Sequence, residues 1–272
     1  MDWNTAAITR IRAGGANLEA VCVGPSPTEA PTIVMLHEGL GCAALWRDFP
    51  DRLAEATGHG VFVYSRRGYG DSPPCSLPRP LDYMTREAMD VLPDVLTGIG
   101  LWRGILLGHS DGASIAAIYA GGIQDHRIRG LVLMAPHFFT EPMGLAAIAK
   151  AKEAYEAGNL RTKLAAYHAD VDNAFGGWND AWLDPAFARW NIEDVIAYIR
   201  VPVLAIQGKD DQYGTIAQIQ ALREQLYSPV DVELFDTCRH SPFIDQPERT
   251  LAAIADFVSR LDRIEAVESK AA

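Results

Sequence analysis

Two periods of hydrophobic positions alternate along the chain, and together they predict a succession of strands and helices. Leu18-Glu19-Ala20-Val21-Cys22-Val23 alternates in the manner of an early strand, closed by Pro25-Ser26-Pro27. Ile33-Val34-Met35-Leu36 is apolar at every position, which predicts a strand buried on both faces, as in a parallel sheet covered by helices. Trp46, Phe49, Leu53 and Ala56 recur at helical spacing, and Gly58 and Gly60 end that helix before the strand Val61-Phe62-Val63-Tyr64. A proline-rich stretch, 72–80, leads into a helix over residues 85–99.

Ile105-Leu106-Leu107 is a further apolar strand, and the run 113–120 after it is apolar nearly all round, which places its helix at the centre of a domain. Residues 128–135 read as a strand. From His137 to Arg200 the periodicity is helical with no convincing strand, as expected of an inserted helical cap. Strands resume at 201–206 and 230–235, separated by a helix over 216–226. Leu251, Ile254, Ala255, Val258 and Leu261 form the stripe of a closing helix. The expected organisation is a core in two parts, 1–136 and 201–264, a helical cap at 137–200 and a flexible tail at 265–272, which lacks apolar periodicity. Repeated strand–helix units imply an α/β fold with a mostly parallel sheet and right-handed crossovers.

Between the strand at 105–107 and the helix at 113–120 lies Gly108-His109-Ser110-Asp111-Gly112, a G-x-S-x-G sequence at a strand-to-helix turn. Such a turn strains the serine backbone and exposes its hydroxyl, while glycines on either side let strand and helix pass closely. The N–H groups that follow carry the positive end of a helix and suit a developing oxyanion. A serine hydroxyl is a weak nucleophile, so this reading requires a histidine base and an orienting carboxylate on loops beyond strand carboxyl ends. The loop Gln207-Gly208-Lys209-Asp210-Asp211-Gln212 and the loop Asp236-Thr237-Cys238-Arg239-His240 are so placed. The resulting chain order, Ser110, Asp211, His240, is that of a nucleophile elbow with its partners downstream.

Composition narrows the function. With 24 Lys+Arg against 35 Asp+Glu, the net charge of -11 opposes nucleic-acid binding, which needs clustered basic residues. Four scattered cysteines, Cys22, Cys42, Cys75 and Cys238, match no metal pattern and read as reduced thiols. No apolar run of about 20 residues occurs, and Met1-Asp2-Trp3-Asn4 opens no leader-like segment. These features lead us to expect a cytoplasmic protein with no membrane partner. No spacing suggests a metal, since His137 and Glu141 lack a third ligand nearby. No cofactor is expected, and the sequence leaves the oligomeric state open.

Over nearly its whole length the sequence resembles the α/β-hydrolase superfamily. Leu36-His37-Glu38-Gly39-Leu40-Gly41 is similar to the family's oxyanion turn, Gly68-Tyr69-Gly70-Asp71-Ser72 to its G-x-G-x-S turn, and Gly208 to Asp211 to its acid turn. The resemblance implies an α/β-hydrolase fold and favours Asp211 over Asp210 as the acid, with Asp236 third. It also implies an oxyanion hole formed by the N–H groups of Asp111 and Gly39, with Leu40 as an alternative. Three positions depart from the family pattern: Glu38 stands where glycine is usual, Arg239 precedes His240 in place of glycine, and Ser65 occupies a common aspartate position. Glu38 is expected to pair with Arg66 or Arg67 more readily than to act in catalysis, although its carboxyl also falls near the acyl pocket.

Among the histidines, His109 is expected to be structural and His37 to bond its own loop. His137 is expected either to touch substrate or to pack, and His59, His126 and His168 have no special placement. The cap is dense in aromatics, and Trp178 within Gly176-Gly177-Trp178-Asn179 leads the candidates for substrate contact, beside Glu38, Leu40 and His137. The expected activity is hydrolysis of an ester or thioester of a small, moderately apolar, even aromatic acyl substrate through an acyl-enzyme. Amide or carbon–carbon hydrolysis and cofactor-free perhydrolysis fit the same residues, and a non-catalytic ligand receptor is the alternative from another class.

Overall fold

The computed structural model describes Trp3 and residues 7–271, with the backbone alone for 268–271; Met1, Asp2, Asn4 to Ala6 and Ala272 lie outside the described residues. Eight strands form one sheet: β1 (Ile8–Ala13), β2 (Ala16–Val23), β3 (Thr32–Leu36), β4 (Gly60–Tyr64), β5 (Gly104–His109), β6 (Ile128–Met134), β7 (Val203–Gly208) and β8 (Val230–Phe235). Their order across the sheet is β1-β2-β4-β3-β5-β6-β7-β8. All pairs from β4 to β8 are parallel, while β1 and β2 add antiparallel strands at one edge.

The strand-side helices are α1 (Phe49–Thr57), α2 (Tyr83–Arg86), continued through a π turn at Glu87–Val91 into α3 (Leu92–Gly98), and α4 (Asp111–Gly122). Between β6 and β7 the chain is helical: α5 (Pro142–Glu156), α6 (Asn159–Leu164), α7 (Val171–Trp182), a 3-10 turn at Phe187–Arg189 and α8 (Glu193–Ile196). The remaining helices are α9 (Ile216–Gln225), α10 (Pro242–Asp245) and α11 (Pro247–Ala271). No helix among the described residues is long and apolar enough to cross a membrane.

Side chains of successive strand residues enter opposite faces, as the pleat requires. Val34, Leu36, Leu106, Leu131 and Leu133 join the core that holds α3 and α4, while Ile33, Met35, Ile105, Val132 and Met134 join the core under α1 and α11. The fully apolar strands are therefore the two-faced centre of the sheet. Every residue of α4 from Asp111 to Gly121 is buried, in keeping with its all-round apolar sequence.

Two segments differ from the sequence expectation. β1 was not expected; its Ile11 and Ala13 are buried, but Ile8 is exposed, and only pairing with β2 makes this short edge segment a strand. The stretch from Glu265, expected to be a flexible tail, continues α11 through Ala271. Its anchor is electrostatic: Glu265 is buried, accepts from Arg129 Nε at 2.6 Å and pairs with Arg103. A hydrophobic pattern does not register such an attachment.

Candidate active site

Ser110 sits at the turn between β5 and α4 with φ +54° and ψ -118°, a backbone strained for a residue with a side chain. The glycines around it are dictated by contact. A Cβ on Gly108 would lie 2.3 Å from the Gly112 carbonyl oxygen, and one on Gly112 would lie 2.0 Å from that of Leu36, so α4 passes directly over the ends of β5 and β3. Ser110 N–H donates to the Met134 carbonyl at 2.9 Å, tying the turn to β6. The Asp111 N–H, first of α4, has no acceptor within the helix and remains available.

Asp211 and His240 follow β7 and β8. Both Asp211 oxygens lie 2.9 Å from His240 Nδ1. Asp211 also accepts from Gln207 Nε2 at 2.9 Å, from Tyr213 N–H at 2.8 Å and from Gly214 N–H at 3.3 Å. Burial alone would raise its carboxyl, but the adjacent His240 and these donors hold it down to about 2. The bond from Nδ1 leaves His240 Nε2 as the nitrogen able to take a proton. Of the competing aspartates, Asp210 is exposed and Asp236 pairs with Lys209 at 2.6 Å, so neither meets the imidazole.

Ser110, Asp111 and His240 open on one cavity of about 200 Å³, together with Glu38, Gly39, Leu40, His137, Trp178 and Trp182. Every candidate site residue from the sequence except the deeper Asp211 thus lines it. Ile148, Gln212, Tyr213 and Ser241 complete the wall and were missed. Gln212, Tyr213 and Ser241 adjoin Asp211 and His240 in sequence, a signal that was available; Ile148 reaches the cavity only through the placing of α5. Trp178 lies so close to Gly39 that a Cβ there would stand 2.1 Å from the indole Nε1. His137 is buried, and desolvation together with nearby His240 pulls it down to about 3, so it is a neutral wall residue that meets Trp182 edge to face.

The Glu38–Gly39 peptide is held from one side. Its carbonyl accepts from His37 Nδ1 at 2.7 Å, Arg66 Nη2 at 2.9 Å and Gly41 N–H at 3.1 Å. Arg66 Nη1 also donates to the His37 carbonyl. In a planar trans peptide the N–H points opposite its C=O, so the Gly39 N–H is turned away from these donors. His37 Nε2 accepts from Arg66 N–H at 3.0 Å; with Nδ1 donating, the ring is neutral, and burial and Arg66 keep it so.

Here the expected pairing of Glu38 is corrected. Arg66 binds main-chain oxygens, and the Glu38 carboxylate lies instead 3.4 Å from His109 Nδ1. Ser65 compensates for the absent aspartate by donating to the buried carboxylate of Glu19 on β2 at 2.6 Å. His168, without evident placement in the sequence, donates to the Leu40 carbonyl at 3.0 Å and accepts from Gly70 N–H at 2.9 Å, joining the segment before α7 to both turns.

The chain belongs to the alpha/beta hydrolase family, whose model matches residues 33–253. A proline iminopeptidase of Lactobacillus helveticus is 22% identical over 275 residues, covering 86% of this chain and 92% of that protein. One from Lactobacillus delbrueckii subsp. bulgaricus is 29% identical over 119 residues, spanning 43% of this chain and only 40% of the relative. Among solved structures, a proline iminopeptidase of Mycobacterium smegmatis superimposes with a TM-score of 0.74 at 19% identity, covering 95% of this chain and 100% of that one. An enol-lactonase from Burkholderia xenovorans LB400 gives 0.73 at 17% identity, covering 92% and 100%. At such identities the likeness is one of fold.

Proposed function

We propose that the protein is a serine hydrolase that cleaves a carboxylic ester or thioester of a small, moderately apolar substrate through an acyl-enzyme. The observation that carries the reading is the Asp211 carboxylate on Nδ1 of His240, which lines the same cavity as a strained Ser110. His240 Nε2 takes the Ser110 proton as Oγ bonds to the substrate carbonyl carbon. The carbonyl oxygen becomes an oxyanion and is met by the N–H groups of Gly39 and Asp111. Collapse breaks the bond to the leaving alcohol or thiol, which receives the proton from His240. Water, deprotonated by the same nitrogen, then releases the acid and restores Ser110. The wall of Leu40, Ile148, Trp178 and Trp182 supports an apolar acyl group.

Amide hydrolysis is a second reading, favoured by the likeness to proteins named proline iminopeptidase. A panel of acetyl and benzoyl esters, the matching thioesters and prolyl and alanyl anilides, assayed with wild type and Ser110→Ala, tests both. Esters or thioesters should dominate, and Ser110→Ala should lose turnover by a factor of about 10³ or more. Preference for anilides would replace the first reading with the second, and undiminished turnover by Ser110→Ala would refute both.

A further inference from the structure

His109, inside the elbow, is fully buried: its Nε2 donates to the His240 main-chain oxygen at 2.7 Å, while its Nδ1 makes no hydrogen bond and lies 3.4 Å from Glu38 Oε2, within ion-pair distance. With Nε2 donating, a neutral ring leaves Nδ1 a bare, buried nitrogen, whereas an imidazolium sets a charged N–H at ion-pair distance from the Glu38 carboxylate. These partners belong to the two loops whose relative position matters most for the reaction proposed above. Glu38 immediately precedes Gly39, and the His240 carbonyl belongs to the residue that bears the base. We propose that Glu38 and His109 form a charged pair that acts as a positioning device, fastening the oxyanion turn to the loop of the catalytic histidine through the elbow itself.

Burial disfavours a charge on His109, but the Glu38 carboxylate and the His240 carbonyl outweigh it and raise the imidazole above its ordinary range. Glu38 is likewise held below the usual carboxylate range, its own burial being overcome by His109. The other groups around His109 do not supply an alternative partner. Trp46 and Phe243 present rings at 6.2 and 5.5 Å, and the His240 imidazole stands at 5.1 Å with Asp211 behind it. His137, on the far side of His240, is neutral. His109 is the buried member of the pair and Glu38 the half-buried one, open to the cavity, so loss of the carboxylate strands a buried imidazolium. The pair also accounts for a carboxylate at position 38: a glycine there has nothing to offer His109.

Because the inference rests on the serine-hydrolase reading, its test includes a measurement that does not require activity. Ring ¹⁵N and ¹H NMR of histidine-labelled protein, with His109 assigned by loss of its signals in His109→Gln, follows its titration directly. The midpoint should lie above about 6.5, the ordinary histidine value, and fall by at least about one pH unit in Glu38→Gln. In kinetics, Glu38→Gln should lower kcat about tenfold with KM changed less than about twofold. The alkaline limb of its pH profile should move to lower pH, because the fastening is lost as His109 deprotonates. Glu38→Asp, which keeps the charge, should recover most of the loss, and His109→Gln should add nothing to Glu38→Gln when combined. A His109 midpoint below that of an ordinary histidine, or coincident profiles for wild type and Glu38→Gln, would overturn the proposal. Persistent turnover in Ser110→Ala would instead remove the reading beneath it while leaving the NMR result to judge the pair.

Discussion

Replacing Asp211 with asparagine preserves the size of the side chain and removes its charge. Asp211 is held at about 2, against an ordinary value near 4, although it is almost fully buried. At about 1.4 kcal/mol per pH unit the gap corresponds to roughly 2–3 kcal/mol favouring the folded state. Because the folded value is the depressed one, this stabilisation is complete above pH about 4 and disappears as the pH falls towards 2. An asparagine can still accept through its oxygen from Tyr213 and Gly214, but its NH₂ group would face either Gln207 Nε2 or His240 Nδ1, donor against donor. The imidazole then favours the tautomer with a proton on Nε2, which cannot accept from Ser110. We expect Asp211→Asn to lower kcat by about 10³–10⁴-fold with the fold retained. Urea denaturation should show a loss of about 2–3 kcal/mol at pH 7 that shrinks steadily between pH 4 and pH 2. Asp210→Asn should alter kcat less than about threefold, since Asp210 is exposed and does not touch the ring. A loss of less than tenfold in Asp211→Asn, or an equal loss in Asp210→Asn, would refute the assignment.

Two further expectations concern the walls of the cavity. Trp178→Ala should lower kcat/KM for benzoyl esters by about 10–100-fold, the worth of roughly 1–3 kcal/mol of apolar contact, while acetyl esters of the same alcohol change little. Equal losses on both esters, in a variant shown by circular dichroism to be folded, would make Trp178 a packing residue only. Arg66→Met should leave KM nearly unchanged and reduce kcat by about 10–100-fold, because the His37 and Glu38 carbonyls lose their guanidinium donor and the Gly39 peptide is less firmly aimed. Unaltered kcat in a folded Arg66→Met would show that His37 and Gly41 suffice to hold that peptide.

What the chain announces by itself is whatever its local periodicity encodes. The central strands are apolar at every position because both faces are covered, so they are legible in one dimension; the glycines about Ser110 are legible as a motif, although the contact that requires Gly112, with the Leu36 carbonyl, comes from β3. The order of Ser110, Asp211 and His240 is readable for the same reason, as each lies just past an identifiable strand. The rest depended on contacts between segments far apart in sequence. β1 exists through its partner β2, and the last turns of α11 are anchored through Arg103 and Arg129, which have no periodic signature. Arg66 and Glu38 are near neighbours at the ends of adjacent strands, so an ion pair was the natural expectation. The fold instead turns the guanidinium onto main-chain oxygens and delivers the carboxylate to His109, 71 residues away. A side chain's partner is chosen by the direction its strand end imposes and by which buried polar atoms would otherwise go unmet, and both are properties of the assembled sheet.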